Sequence, residues 1–356
     1  MSVPTLVVVG GMLGAGKTSL IVAAARRLAE QGRGVGVVTN DQGSGLVDTA
    51  LVRAAHVPVA EVSGGCFCCR LSDLLSACDA LAAERPEVIF AEPVGSCVDL
   101  AATVLRPLLR DEAHRFRVAP LTVLVDPARA IEMTGPGQDA DVEYLFRQQL
   151  DEADVVCFTK ADAGVAPPAY VGPGFSSGIL DSVAGHAISA KTGQGVEAWL
   201  DHVLAPGASA GSGLIAVDYT RYAEAEAALA WLNWRARVDL ESPQSPAVIV
   251  GALTERLEAS LDAAGLSIVH VKVLDRTPTG YVRASVCAAG AEPVVDGTLH
   301  ASPASWHDLM INARAIGDPA QLSRLVAESI ESLAMRVEIT AREAFRPSPP
   351  RPARRA

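Results

Sequence analysis

The chain has 356 residues, 49% of them apolar and only 4% aromatic, enough for a sizeable core built mainly from Ala, Val and Leu in one large or two ordinary domains. A formal net charge of −11 argues against a general binder of nucleic acid or anionic membranes, and no apolar run reaches the ~18 residues needed to span a bilayer. The start, Met1 to Gly10, runs straight into a strand without the basic region of a signal peptide, and seven cysteines in such a chain read as thiols or metal ligands rather than a disulfide framework, so a cytoplasmic location is expected.

In chain order, short apolar runs alternate with helix-like stretches over roughly the first 200 residues, the pattern of a mostly parallel α/β sheet. Residues 5–10, 34–39, 59–62, 88–91, 121–125, 155–158 and 186–189 read as strands, and 18–31, 71–84 and 196–204 as helices. Leu71, Leu74, Leu75, Cys78 and Leu81 share one helix face, which makes Cys78 a core residue. Residues 206–213 (PGASAGSG) have the composition of a flexible linker. Beyond it, a helix (247–264), β-rich stretches (267–274, 281–286, 308–315) and a final helix (319–334) make a smaller α+β domain. The expected plan is a first domain over 1–205, a linker over 206–213, a second domain over 214–336, and then a helical extension and a disordered Pro/Arg-rich tail over 337–356.

Gly11-Met12-Leu13-Gly14-Ala15-Gly16-Lys17-Thr18 fits the phosphate-binding P-loop pattern between an apolar strand and a helix. Gly11, Gly14, Ala15 and Gly16 would turn backbone N–H groups onto phosphate oxygens at a helix N-terminus. Lys17 would reach the β/γ-phosphates, and Thr18, followed by Ser19, would bind Mg²⁺. Only four lysines are present, and three of them (Lys17, Lys160, Lys191) fall in candidate nucleotide motifs.

Thr159-Lys160-Ala161-Asp162 is similar to the guanine-specificity motif of GTPases, with Thr in place of the usual Asn. Asp162 would accept from the guanine N1 and N2 donors while Lys160 lies over the ring, and adenine would leave that carboxylate badly paired. Ser189-Ala190-Lys191-Thr192-Gly193 would bring the Ala190 N–H to guanine O6, so GTP and GDP are favoured over adenine nucleotides. Glu92-Pro93-Val94-Gly95 has the place of a Mg²⁺ and γ-phosphate sensor, with Glu92 as a Mg²⁺ ligand. No Gln follows Gly95 to orient water, so slow intrinsic hydrolysis is expected, with Glu92 or the switch acid Asp41 positioning the nucleophile.

Cys66-Phe67-Cys68-Cys69 follows Gly64-Gly65 and precedes a helix. Three soft thiolates suit Zn²⁺ or Co²⁺, leave one tetrahedral position open for a transferable ion, and have Glu61 upstream as an oxygen donor. The helix start is expected to lower the thiol pKa. A redox Cys-x-x-Cys pair is the competing reading. Cys157, Cys287 and Cys97 read as buried thiols, with a place near the nucleotide as the lesser alternative for Cys97.

Together, Gly11–Thr18, Asn40-Asp41, Cys66-x-Cys68-Cys69, Glu92-x-x-Gly95 and Thr159–Asp162, with the stretch Arg147-Gln148-Gln149-Leu150 through Ala153-Asp154, resemble the CobW-like metallochaperone GTPases, relatives of UreG and HypB, over residues 3–204. The resemblance implies a P-loop G domain and a GTPase that binds a transition metal at the thiols and delivers it to a client metalloprotein or cofactor-assembly protein. A GTP-bound state would hold the metal and hydrolysis would release it. The second domain aligns poorly, and the His-rich stretch of many members is absent, which leaves the metal and the client open. A homodimer remains an option, and a redox-gated or scaffold-type GTPase is the alternative function. Trp231, Trp234 and Trp306 read as core residues, with a client surface as the alternative.

Overall fold

Apolar residues without alternation, Thr5–Gly11, form β1, buried over its whole length as a strand covered on both faces must be. The computed structural model describes residues 3–43, 46–135, 138–166, 184–333 and 335–355; Met1, Ala334 and Ala356, which bound three of the expected segments, lie outside them. The chain divides into two units, one of Met1–Gln42, Asp48–Ala225 and Pro349–Ala356, the other of Gly43–Val47 and Glu226–Ser348.

In the first unit β2 (Val35–Asn40), β3 (Val59–Val62), β4 (Val88–Glu92), β5 (Arg117–Val118), β6 (Thr122–Val125), β7 (Val155–Phe158) and β8 (Ala184–Ala187) join β1 in a parallel sheet. Its order is β3-β2-β4-β1-β6-β7-β8, with β5 also paired to β1. β1 thus lies between β4 and β6, a point where the strand order reverses, and such points open a ligand crevice at the carboxyl ends of the strands. Gly11, Asn40 and Glu92 occupy those ends on β1, β2 and β4, and Thr159 follows β7. Helix Leu71–Leu81 packs tightly on β2, since a Cβ on Gly36 would come within 3.1 Å of Leu81 Cδ1. Cys78 and Cys157 are buried as expected.

The second unit is a six-stranded antiparallel sheet among the described residues, ordered β12-β11-β10-β13-β9-β14. Its strands are β9 (Leu229–Gln244), β10 (Ser267–Thr277), β11 (Gly280–Val286), β12 (Val294–Gly297), β13 (Ala304–Ile316) and β14 (Arg336–Phe345). Helices Pro246–Ala263 and Pro319–Glu331 supply Leu253, Leu257, Leu322 and Val326 to its core, together with Trp234. Trp231 is buried, whereas Trp306 is exposed.

Three sequence expectations change. Residues 206–213 lie inside the first unit, not between the two. Residues 336–345 are a strand paired with β9, not a helical extension. Their Ala, Glu and Arg content favours helix locally, but the open edge of β9 offers a full ladder of backbone hydrogen bonds, and that context overrides propensity. The Pro/Arg-rich stretch that follows is held by specific contacts rather than disordered: Arg355 pairs with Asp99, and Ala353 N–H donates to Cys68 O.

Candidate functional site

The P-loop leaves β1 at Gly11 and enters helix Lys17–Glu30. Gly11, Gly14 and Gly16 have φ of 126°, 83° and 92°, a region closed to residues with a Cβ, and a Cβ on Gly11 would lie 2.5 Å from Leu124 O. Lys17 is buried and donates to Gly11 O at 2.9 Å, so its ammonium curls over the loop. Ala15 N–H bonds Met12 O, and Ser19 lies in the first helical turn.

Thr18 Oγ1 lies 2.7 Å from Asp48 Oδ1 and 3.0 Å from Glu92 Oε1. One hydroxyl proton can serve one carboxylate at a time, so two carboxylates, buried Glu92 and half-buried Asp48, converge on a single oxygen. Three hard oxygen donors in this arrangement fit Mg²⁺, which would relieve the repulsion. Sequence reasoning missed Asp48. Its signal was an acid in the first turn of a short helix, Val47–Ala54, just past the switch. Asp41, the acid expected there, follows β2 and donates its backbone N–H to Val62 O.

Gly95 lies against the P-loop: a Cβ there would fall 2.7 Å from Leu13 Cδ2 and 3.1 Å from Leu13 N. Gln149, fully buried, holds this loop by donating to Gly95 O at 2.9 Å and to Cys97 O at 3.1 Å. Thr159 Oγ1 donates to Ala15 O at 2.9 Å, so the hydroxyl ties the turn after β7 to the P-loop. Lys160 sits at φ 55° and its ammonium pairs with Asp126 Oδ2 at 2.6 Å, a partner the sequence did not reveal. A hydrogen bond from Ser189 holds the exposed Asp162 carboxyl below its ordinary pKa, and half-buried Ala190 follows Ser189.

Beside these loops lie the thiols. Gly64 and Gly65, at φ 77° and 152°, turn the chain out of β3, and Cys69 N–H and Arg70 N–H both return to Cys66 O. The Sγ atoms of Cys66 and Cys68 are 2.7 Å apart, and Cys69 Sγ lies 3.5 Å and 3.7 Å from them. Cys97 Sγ approaches Cys68 at 3.9 Å, and the buried trio Cys66, Cys68 and Cys97 has its sulfurs within 4.8 Å of one another. Cys97 therefore belongs to the thiol cluster, a contact invisible in sequence because the loop after β4 brings it 29 positions across the chain.

Glu61 is not brought into this group. It stays on β3 in register with Thr39, and the Gly64-Gly65 turn separates it from the sulfurs. The expected lowering of the thiol pKa is also reversed. The hydrogen bond with Cys66 pushes Cys68 well above its ordinary range, and the contacts of Cys69 and Cys97 and burial add to it. Cys69 is raised chiefly by Cys66. In Cys66 the bonds with Cys68 and Cys69 pull down, but Cys97 and burial outweigh them. The helix start is thus overcome by burial and by thiols facing thiols.

Residues 5–167 match the family profile described as "CobW/HypB/UreG, nucleotide-binding domain". The first unit is therefore similar to that nucleotide-binding domain over residues 5–167. The first unit has the P-loop fold, and the antiparallel sheet is an addition to it. Similar solved structures include HypB from Helicobacter pylori in complex with nickel, at 17% identity over 56% of this chain and 86% of that one, TM-score 0.43. HypB from Archaeoglobus fulgidus is 19% identical over 56% and 87%, TM-score 0.37. Zn(II)-bound YjiA GTPase from E. coli is 15% identical over 94% and 99%, TM-score 0.33. Scores this low carry no argument about function. No curated protein matches the chain. No helix among the described residues is long and apolar enough to cross a membrane.

Proposed function

We propose that the protein is a metal-handling GTPase that binds a transition metal ion, Zn²⁺ or Co²⁺, at Cys66, Cys68 and Cys69 with Cys97 as a fourth thiol, and passes it to a client metalloprotein or cofactor-assembly protein. One observation carries this reading: two nucleotide-site loops run directly into the thiol cluster. Asn40, at the end of β2, donates to Val62 O at 3.0 Å and Gly65 O at 2.7 Å, while Gln149 bonds both Gly95 O and Cys97 O.

In this reading Gly11, Gly14, Ala15, Gly16 and Lys17 hold the phosphates, with Gly95 beside the γ-phosphate. Thr159, Lys160, Asp162, Ser189 and Ala190 select guanine. Thr18, Glu92 and Asp48 hold Mg²⁺, which neutralises charge on the β- and γ-phosphates. Glu92, with Asp41 as a switch acid, orients the attacking water, and the absence of a Gln after Gly95 makes intrinsic turnover slow. Cys66, Cys68 and Cys97 form the buried floor of the metal site, and half-buried Cys69 is the thiol through which metal enters and leaves.

Metal titration tests the reading. Replacing Cys66, Cys68 and Cys69 with Ser should abolish tight Zn²⁺ and Co²⁺ binding and leave GTP binding largely intact; unchanged metal affinity would contradict it. A redox-gated GTPase is the second reading, favoured by the 2.7 Å approach of Cys66 and Cys68. Thiols held above their ordinary pKa are poorer nucleophiles, which weighs against it. Oxidation should remove two thiols, whereas metal should shield three or four.

A further inference from the structure

The thiol cluster has an occupied groove beside it. In the first unit, residues 349–355 run past it. Arg351 N–H donates to Cys69 Sγ at 3.1 Å, and Ala353 N–H to Cys68 O at 2.9 Å. Pro350, just before these contacts, is buried. Arg354 then pairs with Asp111 Oδ2 at 2.8 Å. Arg355 pairs with Asp99 Oδ2 at 2.8 Å, donates to Ile215 O at 3.0 Å, and lies over the Tyr219 ring.

Asp99 shows that this end of the groove is built. Its side chain is 1% exposed, its φ is 65°, and Tyr219 OH hydrogen-bonds the same Oδ2 that meets Arg355. Its other oxygen, Oδ1, has no hydrogen-bond partner among the described residues. Holding a carboxylate dry in a left-handed backbone conformation is costly unless a cation meets it. Arg355 supplies that cation from an exposed position, so the match is one of charge and fork geometry that another arginine could reproduce.

We propose that the groove from Cys69 past Cys68 to Asp99 and Asp111 is the docking site for an extended, arginine-bearing segment of the protein that receives the metal, and that residues 349–355 occupy it until that segment displaces them. The proposal rests on the metal-handling reading for its purpose, but the groove can be tested without metal. Docking there would bring the receiving protein against Cys69, the sulfur through which the ion leaves. The resident strap wins against weak competitors because it is tethered and acts at high effective concentration.

The test is alkylation of Cys69 by iodoacetamide in the metal-free full-length protein, followed by mass spectrometry, with and without the free peptide PPRPARRA. Arg355→Glu sets an anion against Asp99 and should raise the alkylation rate about tenfold, the equivalent of one lost charge-assisted contact. Arg355→Gln should raise it less, in the same direction. The peptide should slow alkylation of Arg355→Glu towards the wild-type rate, and the same peptide carrying Arg355→Glu should not. Equal rates in wild type and Arg355→Glu, or equal protection by both peptides, would overturn the proposal. Because no metal is present, either outcome is separate from a failure of the metal reading, which would appear as thiols that Zn²⁺ does not shield.

Discussion

Asn40 donates its buried side-chain amide to Gly65 O at 2.7 Å, fastening the end of β2 to the turn that launches the thiols. The same nitrogen reaches Val62 O, so one side chain secures both sides of that turn. Asn40 adjoins Asp41, and a shift of the segment after β2 must therefore move or release the thiol loop.

Asn40→Ala should uncouple the two sites. Two carbonyls lose their donor, at a cost of about 1–3 kcal/mol to the fold. Metal affinity should fall at least about tenfold, with nucleotide affinity much less affected. Isothermal titration with Co²⁺ and with GDP checks both. Equal losses at the two sites would point to general destabilisation instead.

Asp48→Asn should weaken Mg²⁺ binding. It removes one of two carboxylates meeting Thr18 Oγ1. GTP turnover at limiting Mg²⁺ should drop about tenfold, close to 1.4 kcal/mol, and recover in part at high Mg²⁺. Steady-state phosphate release across a Mg²⁺ series reads this, and a Mg²⁺-independent loss would contradict the assignment.

Asp162→Ala should cost GTP affinity at least about tenfold while barely touching ATP, since guanine offers paired N1 and N2 donors to that carboxylate and adenine has none at those positions. Competition between labelled GTP and unlabelled ATP measures the narrowed gap. An undiminished preference for GTP would move guanine selection elsewhere.

Cys97→Ser should lower the number of thiols that Zn²⁺ shields from modification by one and weaken Zn²⁺ binding about tenfold or more. Counting reactive thiols with and without Zn²⁺ gives the answer directly. A wild-type count of three, unchanged by the substitution, would leave Cys97 outside the metal site.

Much of this site was legible because phosphate and guanine recognition need particular residues in short local strings. Gly11 to Thr18 and Thr159 to Asp162 are each one short local string, so spacing alone singled them out as candidates. Asp48 and Asp126 were not legible, and Gln149 showed only as part of the Arg147–Asp154 stretch with no role: each serves a motif 30 or more positions away, through a contact that only the fold creates. Cys97 was hidden for the same reason. In the second unit β9 did carry a period-two signal, with Arg235, Arg237 and Asp239 alternating against buried Trp234, Ala236 and Val238, but its fully buried first half masked it. β14 alternates too over Arg336-Val337-Glu338-Ile339-Thr340, but the Ala, Arg and Glu that follow favour helix, so its pairing with β9 decides the strand.

Glu152 offers a test of the frame around the site. It is fully buried, and burial raises its pKa well above 4.5 while it accepts from Ala101 N–H at 3.0 Å. A carboxyl whose folded pKa is raised contributes stability that is complete below the unfolded pKa and is lost as pH rises through the folded one. Glu152→Gln keeps the acceptor without the charge. It should therefore gain stability over wild type as pH climbs above about 4.5 and show little difference at pH 4. Denaturant melts across that range measure it, and a pH-independent difference would contradict the sign.

The most direct test of the central claim is Zn²⁺ and Co²⁺ affinity measured with GTP·Mg²⁺, with GDP and without nucleotide. If the loops that carry Asn40 and Gly95 link nucleotide to thiols, affinity should be highest with GTP·Mg²⁺ and fall at least about fivefold with GDP. Identical affinities in all three states would contradict the account.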